Sequence, residues 1–144
     1  MTSKSFNYLF LGWVVSVIAT LGSLFFSEVI GYAPCSLCWY QRIFMYPLVL
    51  VLAKGLFPLD QKVYGFSLPL ALVGWVFALY HNLLHWNIIP ENAAPCRQGV
   101  ACSTVYIDWL GFVTIPLLSL VAFSMVIILL FLFNRNFTRE NSNV

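Results

Sequence analysis

The sequence predicts an all-α integral membrane protein, a bundle of four transmembrane helices. Apolar residues make up 61% of the 144 positions. Charged residues make up only 8%, against about 25% in soluble domains. Four apolar runs are each long enough to cross a bilayer core about 30 Å thick. No internal repeat or long linker divides the chain, so we expect one membrane domain over residues 1–144.

The net charge of +2 leaves no basic patch for a nucleic-acid partner, and we expect a monomer surrounded by membrane lipid.

Each run has the length and composition of a spanning helix, and the runs cover residues 8–26, 39–56, 66–84 and 110–133. Lys4 precedes the first run, but that run is too long for a cleaved signal peptide and no small-residue cleavage site follows it. Backbone groups in lipid must be hydrogen-bonded within their own segment, and none of the runs alternates as barrel strands do, so all four are predicted to be helical. Three prolines lie inside the runs and can kink their helices: Pro47, Pro69 and Pro116.

Basic residues near the helix ends predict the orientation in the membrane. One side of the bundle carries five of them: Lys4, Lys54, Lys62, Arg135 and Arg139. The other side has only Arg97 in a loop and Arg42 just inside the second helix. Because cytoplasmic loops carry the excess of basic residues, both termini are predicted to be cytoplasmic, with loops 27–38 and 85–109 facing outward. These two outward loops contain all four cysteines.

Cys35 and Cys38 form a Cys-x-x-Cys motif where the second helix begins, with Pro34 just before it. If the helix runs from about Cys35, then Cys35, Cys38 and Arg42 occupy positions i, i+3 and i+7 and share one stripe. A helix N-terminus or a nearby cation lowers a cysteine pKa from about 8.5 towards neutrality, and the thiolate is the reacting species. The motif therefore predicts a redox-active pair.

Arg42 is predicted to lie one helical turn below Cys38, about 6 Å along the axis. A cation inside a span is costly and by default indicates function. Here it can donate to a quinone carbonyl and stabilise the negative charge that develops on reduction. The alternative is a side chain that extends to the interface and anchors the helix. Glu28, near the outer end of the first helix, either pairs with Arg42 or lies in headgroup water.

Cys96 and Cys102 lie in the second outward loop, and the five residues between them can close a small disulfide ring. A short, exposed ring is typical of an exchangeable disulfide, and Arg97 beside Cys96 favours its thiolate. One alternative is a structural disulfide that pins the loop. Another is a four-cysteine zinc site, which the wide spacing of this pair and an oxidising compartment both disfavour, so no metal is expected.

His81 and His85 lie at i and i+4 near the outward end of the third helix. His81 can donate to a quinone carbonyl or transfer its protons, or it can be an interfacial polar cap. The pair is a weak metal signal, because no carboxylate lies between the two histidines. Five aromatic residues are predicted to form a belt at the outer interface: Trp39, Tyr40, Trp86, Tyr106 and Trp109.

The block of residues 34–42, Pro-Cys-Ser-Leu-Cys-Trp-Tyr-Gln-Arg, resembles the DsbB/BdbC disulfide-bond formation proteins. Four short spans and a later cysteine pair extend this resemblance over nearly the whole chain. It implies a thiol:quinone oxidoreductase of the cell membrane. Such a protein reoxidises an extracytoplasmic thioredoxin-like dithiol oxidase of the DsbA/BdbD type and passes the electrons to a quinone, menaquinone or ubiquinone.

The resemblance also implies a role for each site residue. Cys96 would form the mixed disulfide with the partner, and Cys102 would be its companion. Cys35 would relay electrons from the loop pair, Cys38 would face the quinone, and Arg42 would hold the quinone ring. The disulfides would be Cys35–Cys38 and Cys96–Cys102, although four cysteines permit three connectivities. Because Cys96 and Cys102 are closer than in the best-known DsbB proteins, the chain is nearer to the BdbC type.

Two other functions fit the same residues. A reductant carrier that moves electrons outward from a cytosolic thioredoxin needs cysteines reachable from both sides, which the predicted topology disfavours. A non-catalytic membrane adaptor would hold two structural disulfides with reduction potentials below about −300 mV.

Overall fold

The four apolar runs form four helices, because only helical hydrogen bonding satisfies the backbone of a single segment in lipid. The structure, a computed structural model, describes residues 3–93, 96, 101–102 and 113–143. Within these ranges the helices are α1 (Ser3–Leu24), α2 (Ser36–Leu56), α3 (Lys62–His85) and α4 (Ile115–Ser142), and no strand forms. Each is long and apolar enough to cross a membrane. The predicted all-α, four-helix membrane fold is therefore confirmed.

The helices extend beyond most of the predicted bounds, because polar residues at a membrane surface can continue a helix. A π-helical turn, Phe25–Val29, follows α1 directly. The start predicted for the fourth span at Leu110 is wrong. Thr114 is extended and occupies the N-cap position of a helix that begins at Ile115, while residues 110–112 lie outside the described part of the chain.

The kink predicted at Pro116 is wrong, because this proline lies in the first turn of α4. The amide proton that proline lacks has no helical partner in that turn, so the residue starts the helix instead of bending it. Pro47 and Pro69 do lie inside α2 and α3.

The helices form a closed bundle in which α1 and α3 each pack against both α2 and α4, while α2 and α4 face each other across a diagonal. Small residues set the closest approaches, as is usual between membrane helices. A Cβ atom at Gly74 of α3 would collide with the Phe123 ring of α4, and one at Gly55 would collide with Val63. The buried core accordingly runs along the bundle axis, and Phe123 is fully buried within it.

Hydrogen bonds between helices identify the two ends of the bundle. At one end Ser5 Oγ of α1 donates to Glu140 Oε2 of α4 at 3.0 Å, so the first and last helical turns of the chain meet. At the other end Asn82 Nδ2 of α3 donates to the Pro116 carbonyl oxygen of α4 at 2.9 Å. The second end also holds the start of α2, where the first cysteine pair lies, and is called the cysteine end below.

Candidate functional site: two cysteine pairs and an apolar cavity

The first cysteine pair lies at the N-terminus of α2, where the helix has backbone N–H groups without helical partners. Cys35 is the N-cap, and its Sγ accepts a hydrogen bond from the Cys38 amide at 3.3 Å. One helical turn brings Cys38 Sγ to 2.8 Å from Cys35 Sγ. Both residues are free thiols in this structure, so a Cys35–Cys38 disulfide stays a prediction. The two sulfurs are close enough to form that bond with only small side-chain rotations.

Cys35 has the environment of a thiolate. The hydrogen bond with the Cys38 side chain lowers the pKa of Cys35 to about 4, and His81 and the Cys38 amide add to the effect. Burial acts in the opposite direction but does not reverse the shift. Cys35 is therefore ionised at neutral pH, which is the state needed for nucleophilic attack or for departure from a disulfide.

His81 connects the two cysteine pairs. Its side chain is only 3% exposed. Its Nε2 lies 3.8 Å from Cys35 Sγ and 3.1 Å from the backbone carbonyl oxygen of Cys102. Gln41 Nε2 lies 3.0 Å from His81 Nδ1. Because an amide nitrogen can only donate, Nδ1 accepts, and the remaining ring proton is on Nε2, directed at Cys102 and Cys35. His81 is thus a buried link between the pairs, whereas the sequence offered two alternatives for it, a quinone ligand or an interfacial polar cap.

The second pair packs directly against the first. The structure joins Cys96 to Cys102 by a disulfide with a Cα–Cα distance of 5.9 Å. Cys102 is buried in one apolar cluster with Cys35, and Cys38 and Cys96 lie at its edge. Two of the four thiolates that a four-cysteine zinc site needs are therefore already bonded to each other. Arg97, the predicted neighbour of this disulfide, lies outside the described residues.

A cavity of about 470 Å³ opens between α1, α2 and α4 at the cysteine end. Most of its wall is apolar, with Phe26 of the π-helical turn on one side and Phe123 of α4 on another. Cys38 and Arg42 of α2 contribute polar groups to this wall. Cys38 therefore borders the cavity, while Cys35 faces His81 and the disulfide. The described wall does not include His81, although it does include Gln41, whose amide nitrogen lies 3.0 Å from His81 Nδ1.

Arg42 is held in the cavity wall by α1. Its Nε donates to Ser23 Oγ at 2.8 Å, and one terminal nitrogen donates to the Ser23 carbonyl oxygen at 3.0 Å. The guanidinium carbon also lies 5.3 Å from the centre of the Trp39 ring, a cation–π contact. Of the two alternatives for Glu28, the structure does not form the ion pair with Arg42: Arg42 bonds to Ser23, and Glu28 accepts from Ser27 in an exposed contact. The Arg42 side chain thus extends from α2 to α1.

Three of the five residues predicted to form the aromatic belt lie in the described part of the chain. Trp39, Tyr40 and Trp86 have exposed side chains near the cysteine end, as the predicted belt requires. Tyr106 and Trp109 lie outside the described residues. His85 ends α3 and is not part of the group formed by Cys35, Cys38 and His81 among the described residues.

Four spanning helices, a free dithiol and an adjacent disulfide define an integral membrane protein of the thiol–disulfide class. Comparison with known families then identifies it further. The family described as "Disulfide bond formation protein DsbB" matches residues 5–133. The chain therefore belongs to the DsbB family of disulfide-bond formation proteins, and the resemblance inferred from residues 34–42 is confirmed.

Individual relatives agree with this assignment. The "Disulfide bond formation protein C" of Bacillus subtilis strain 168 is 48% identical over 121 residues, which cover 84% of this chain and 88% of that protein. A "Probable disulfide formation protein" of Metapseudomonas resinovorans is 42% identical over 138 residues, covering 95% of this chain and 96% of the relative. The first relative supports the predicted proximity to the BdbC type. No solved structure matches the chain significantly.

Sequence reasoning missed two residues that organise the site. Gln41 is buried beside His81 and follows Cys38 by three positions. A polar amide inside an apolar span was the signal in the sequence that could have identified it. Ser23, which binds Arg42, is one of two serines in the first span, and nothing in the pattern distinguishes it from the other.

Proposed function

We propose that the protein is a membrane thiol:quinone oxidoreductase. It reoxidises an extracytoplasmic thioredoxin-fold dithiol oxidase and passes two electrons to menaquinone or ubiquinone. The observation that carries the proposal is that Cys35 and Cys38, called the inner pair below, face two different parts of the molecule. Cys38 borders the apolar cavity together with Arg42, whereas Cys35 contacts the side that holds the Cys96–Cys102 disulfide.

The cavity fits a quinone head group in size and in chemistry. Its volume of about 470 Å³ lies within the range of roughly 300–1,000 Å³ found for small-molecule sites. Arg42 has five N–H groups, and the described structure assigns two of them to Ser23, so others are available to a carbonyl oxygen. A bound quinone supplies an acceptor for two electrons and two protons. Arg42 would hold one carbonyl, with Cys38 beside the ring.

The first exchange takes place at the loop disulfide. A partner thiolate attacks Cys96, the Cys96–Cys102 bond breaks, and Cys102 leaves as a thiolate. The second partner thiol then displaces Cys96, so the partner departs with a disulfide. The loop pair now holds the two electrons and two protons as thiols.

The second exchange transfers those electrons inward. Cys102 attacks Cys35 of an oxidised Cys35–Cys38 pair, and Cys38 leaves as a thiolate at the cavity wall. Cys96 then displaces Cys35, which restores the loop disulfide and leaves the inner pair reduced. The His81 Nε2 proton stabilises the Cys35 thiolate. A quinone bound in the cavity would accept the two electrons and two protons that Cys35 and Cys38 release as they re-form their disulfide.

The proposed orientation places both termini in the cytoplasm and the cysteine end outside. The excess of Lys and Arg at the other end supports it. The contact between Ser5 and Glu140 also fits, since it brings the two terminal segments to the end opposite the cysteines. With all four cysteines at one end, a carrier that collects electrons from a cytosolic thioredoxin is disfavoured. A low-pKa free thiol at Cys35 disfavours an adaptor with two structural disulfides.

The direct test is quinone reduction by purified protein. With a short-tailed quinone present, addition of a reduced thioredoxin-fold dithiol oxidase should change the quinone absorbance and oxidise the partner in equal amounts. Cys35→Ala and Cys38→Ala should each abolish quinone reduction, whereas His85→Ala should not. Full activity in either cysteine variant would refute the relay.

A further inference from the structure

Three ligand atoms of the kind that bind soft metals converge at the cysteine end. The Sγ atoms of Cys35 and Cys38 and a ring nitrogen of His81 all lie within 4.8 Å of one another. Two of the three side chains are buried and the third is half-buried. The group combines two thiols from α2 with an imidazole from α3, so neither helix alone makes it.

We propose that the reduced protein binds one soft divalent cation, of the Zn²⁺ class, through Cys35 Sγ, Cys38 Sγ and His81 Nε2. This site differs from a four-cysteine site, because it uses neither Cys96 nor Cys102 as a thiolate ligand. It also does not depend on the electron transfer proposed above, since it needs only the dithiol and the histidine.

The distances are close to those of a tetrahedral site. Zinc binds sulfur at about 2.3 Å and nitrogen at about 2.0–2.1 Å, which places ligand sulfur and nitrogen about 3.6 Å apart and two sulfurs about 3.8 Å apart. Cys35 Sγ and His81 Nε2 are already 3.8 Å apart. The two sulfurs are 2.8 Å apart, so they must separate by about 1 Å, which rotation of the two side chains can supply.

The surroundings suit a metal-bound dithiolate. The Cys38 amide already donates to Cys35 Sγ, which offsets negative charge on that sulfur. Two thiolates and a neutral imidazole balance a divalent cation, so the buried complex carries no net charge. The Cys102 carbonyl oxygen lies 3.1 Å from His81 Nε2, the nitrogen that would bind the cation. Three protein ligands with a fourth position left to water are typical of catalytic zinc sites, whereas structural zinc sites have four protein ligands.

Gln41 would act as a positioning residue for the metal. His81 Nε2 must lose its proton to bind, and the proton then resides on Nδ1. The Gln41 amide, 3.0 Å away in the present tautomer, would turn its oxygen towards Nδ1 to accept that proton. A carbonyl or carboxylate on the far ring nitrogen is the usual support of a metal-bound histidine.

Metal binding and disulfide formation exclude each other at this pair. At neutral pH binding releases the proton of the Cys38 thiol, since Cys35 is already ionised, and it transfers no electrons, because both sulfurs stay reduced. Forming the Cys35–Cys38 bond removes both thiolate ligands at once. The cation would therefore hold the inner pair reduced and stop its turnover reversibly, until a chelator removes it.

The experiment uses Co²⁺ as a spectroscopic substitute for Zn²⁺ and needs no quinone or partner. The full chain carrying Cys96→Ser and Cys102→Ser is reduced without oxygen, freed of reductant and titrated with Co²⁺ in detergent. We expect one Co²⁺ per chain, with the intense visible bands of tetrahedral coordination and sulfur-to-metal charge transfer. The same protein oxidised to the Cys35–Cys38 disulfide should show neither, and this comparison involves no further mutation.

The variants identify the ligands. In the same background His81→Ala removes a direct ligand and should weaken binding by at least about 100-fold, the upper figure for loss of an outer-shell partner. The matched His85→Ala should leave binding unchanged. Gln41→Leu should weaken it roughly 10- to 100-fold, with recovery in Gln41→Glu. Unchanged binding in His81→Ala would overturn the proposal. So would binding that occurs in the wild type but is lost in the Cys96→Ser, Cys102→Ser background, because that result identifies a four-cysteine site.

Discussion

His81 Nε2 lies 3.8 Å from Cys35 Sγ, although the two residues are 46 positions apart in the sequence. The contact joins the last turns of α3 to the first turn of α2. It places an imidazole N–H beside the sulfur whose ionisation the proposed relay requires. The first prediction tests this relationship together with the Cys38 hydrogen bond.

In reduced, chelator-treated protein, alkylation of Cys35 should stay fast down to pH about 5, because the thiolate persists above a pKa of about 4. The rate should fall only as the pH drops through that value. Cys38→Ala should raise the pKa most, since the Cys38 side chain is the largest cause, and His81→Ala should raise it less. Mass spectrometry of the labelled peptide gives the rates. A wild-type rate that rises through pH about 8.5, as for an ordinary thiol, would contradict the prediction.

Ser23→Ala should weaken quinone binding by releasing one of the two hydrogen bonds that hold Arg42. The Nε bond to the hydroxyl is lost, while the bond to the Ser23 carbonyl remains. A hydrogen bond to a charged group is worth roughly 1.5–3 kcal/mol, so we expect a KM for quinone raised about 10-fold with a smaller change in kcat.

The matched control for that variant is Ser16→Ala. Ser16 is a buried serine of α1 whose hydroxyl donates within its own helix, to the Trp13 carbonyl oxygen at 2.7 Å. Its loss should leave the KM unchanged. Equal effects in the two variants would mean that Ser23 acts through the general packing of α1.

Gly74→Ala should destabilise the bundle, because the added methyl group would collide with the buried Phe123 ring. Overpacking of this kind costs typically about 1–3 kcal/mol. Phe123 also lines the cavity, so the variant should disturb quinone binding as well. Gly65→Ala in the same helix meets no atom within 4 Å and should be neutral or stabilising. Thermal unfolding in detergent measures both, and equal melting temperatures would argue against a close α3–α4 contact.

Single cysteines introduced at the two ends of the bundle should report opposite sides of the membrane. In a background without the four native cysteines, Trp86→Cys lies at the cysteine end and Ser142→Cys in the last turn of α4. A membrane-impermeant thiol reagent should label Trp86→Cys in intact cells and should label Ser142→Cys only after lysis. The reverse pattern would place the cysteine end in the cytoplasm and remove the proposed route to an exported partner.

The sequence by itself determined the membrane class, the four helices and the family. Runs of about 20 apolar residues leave a helix as the only lipid-compatible structure. The Cys-x-x-Cys motif could also be placed, because Pro34 and the apolar run after it define a helix start. The α4 start was misplaced, since the apolar run gives no sign that Thr114 is extended.

Only the tertiary structure decided which side chains meet. Lipid is as apolar as the protein core, so membrane helices carry no polar face that marks the outside and no pattern that fixes their rotation. The sequence therefore could not reveal that His81 faces Cys35, or that Ser23 holds Arg42. Those pairings follow from close helix packing at small residues such as Gly74, which sets how each helix is turned towards its neighbours.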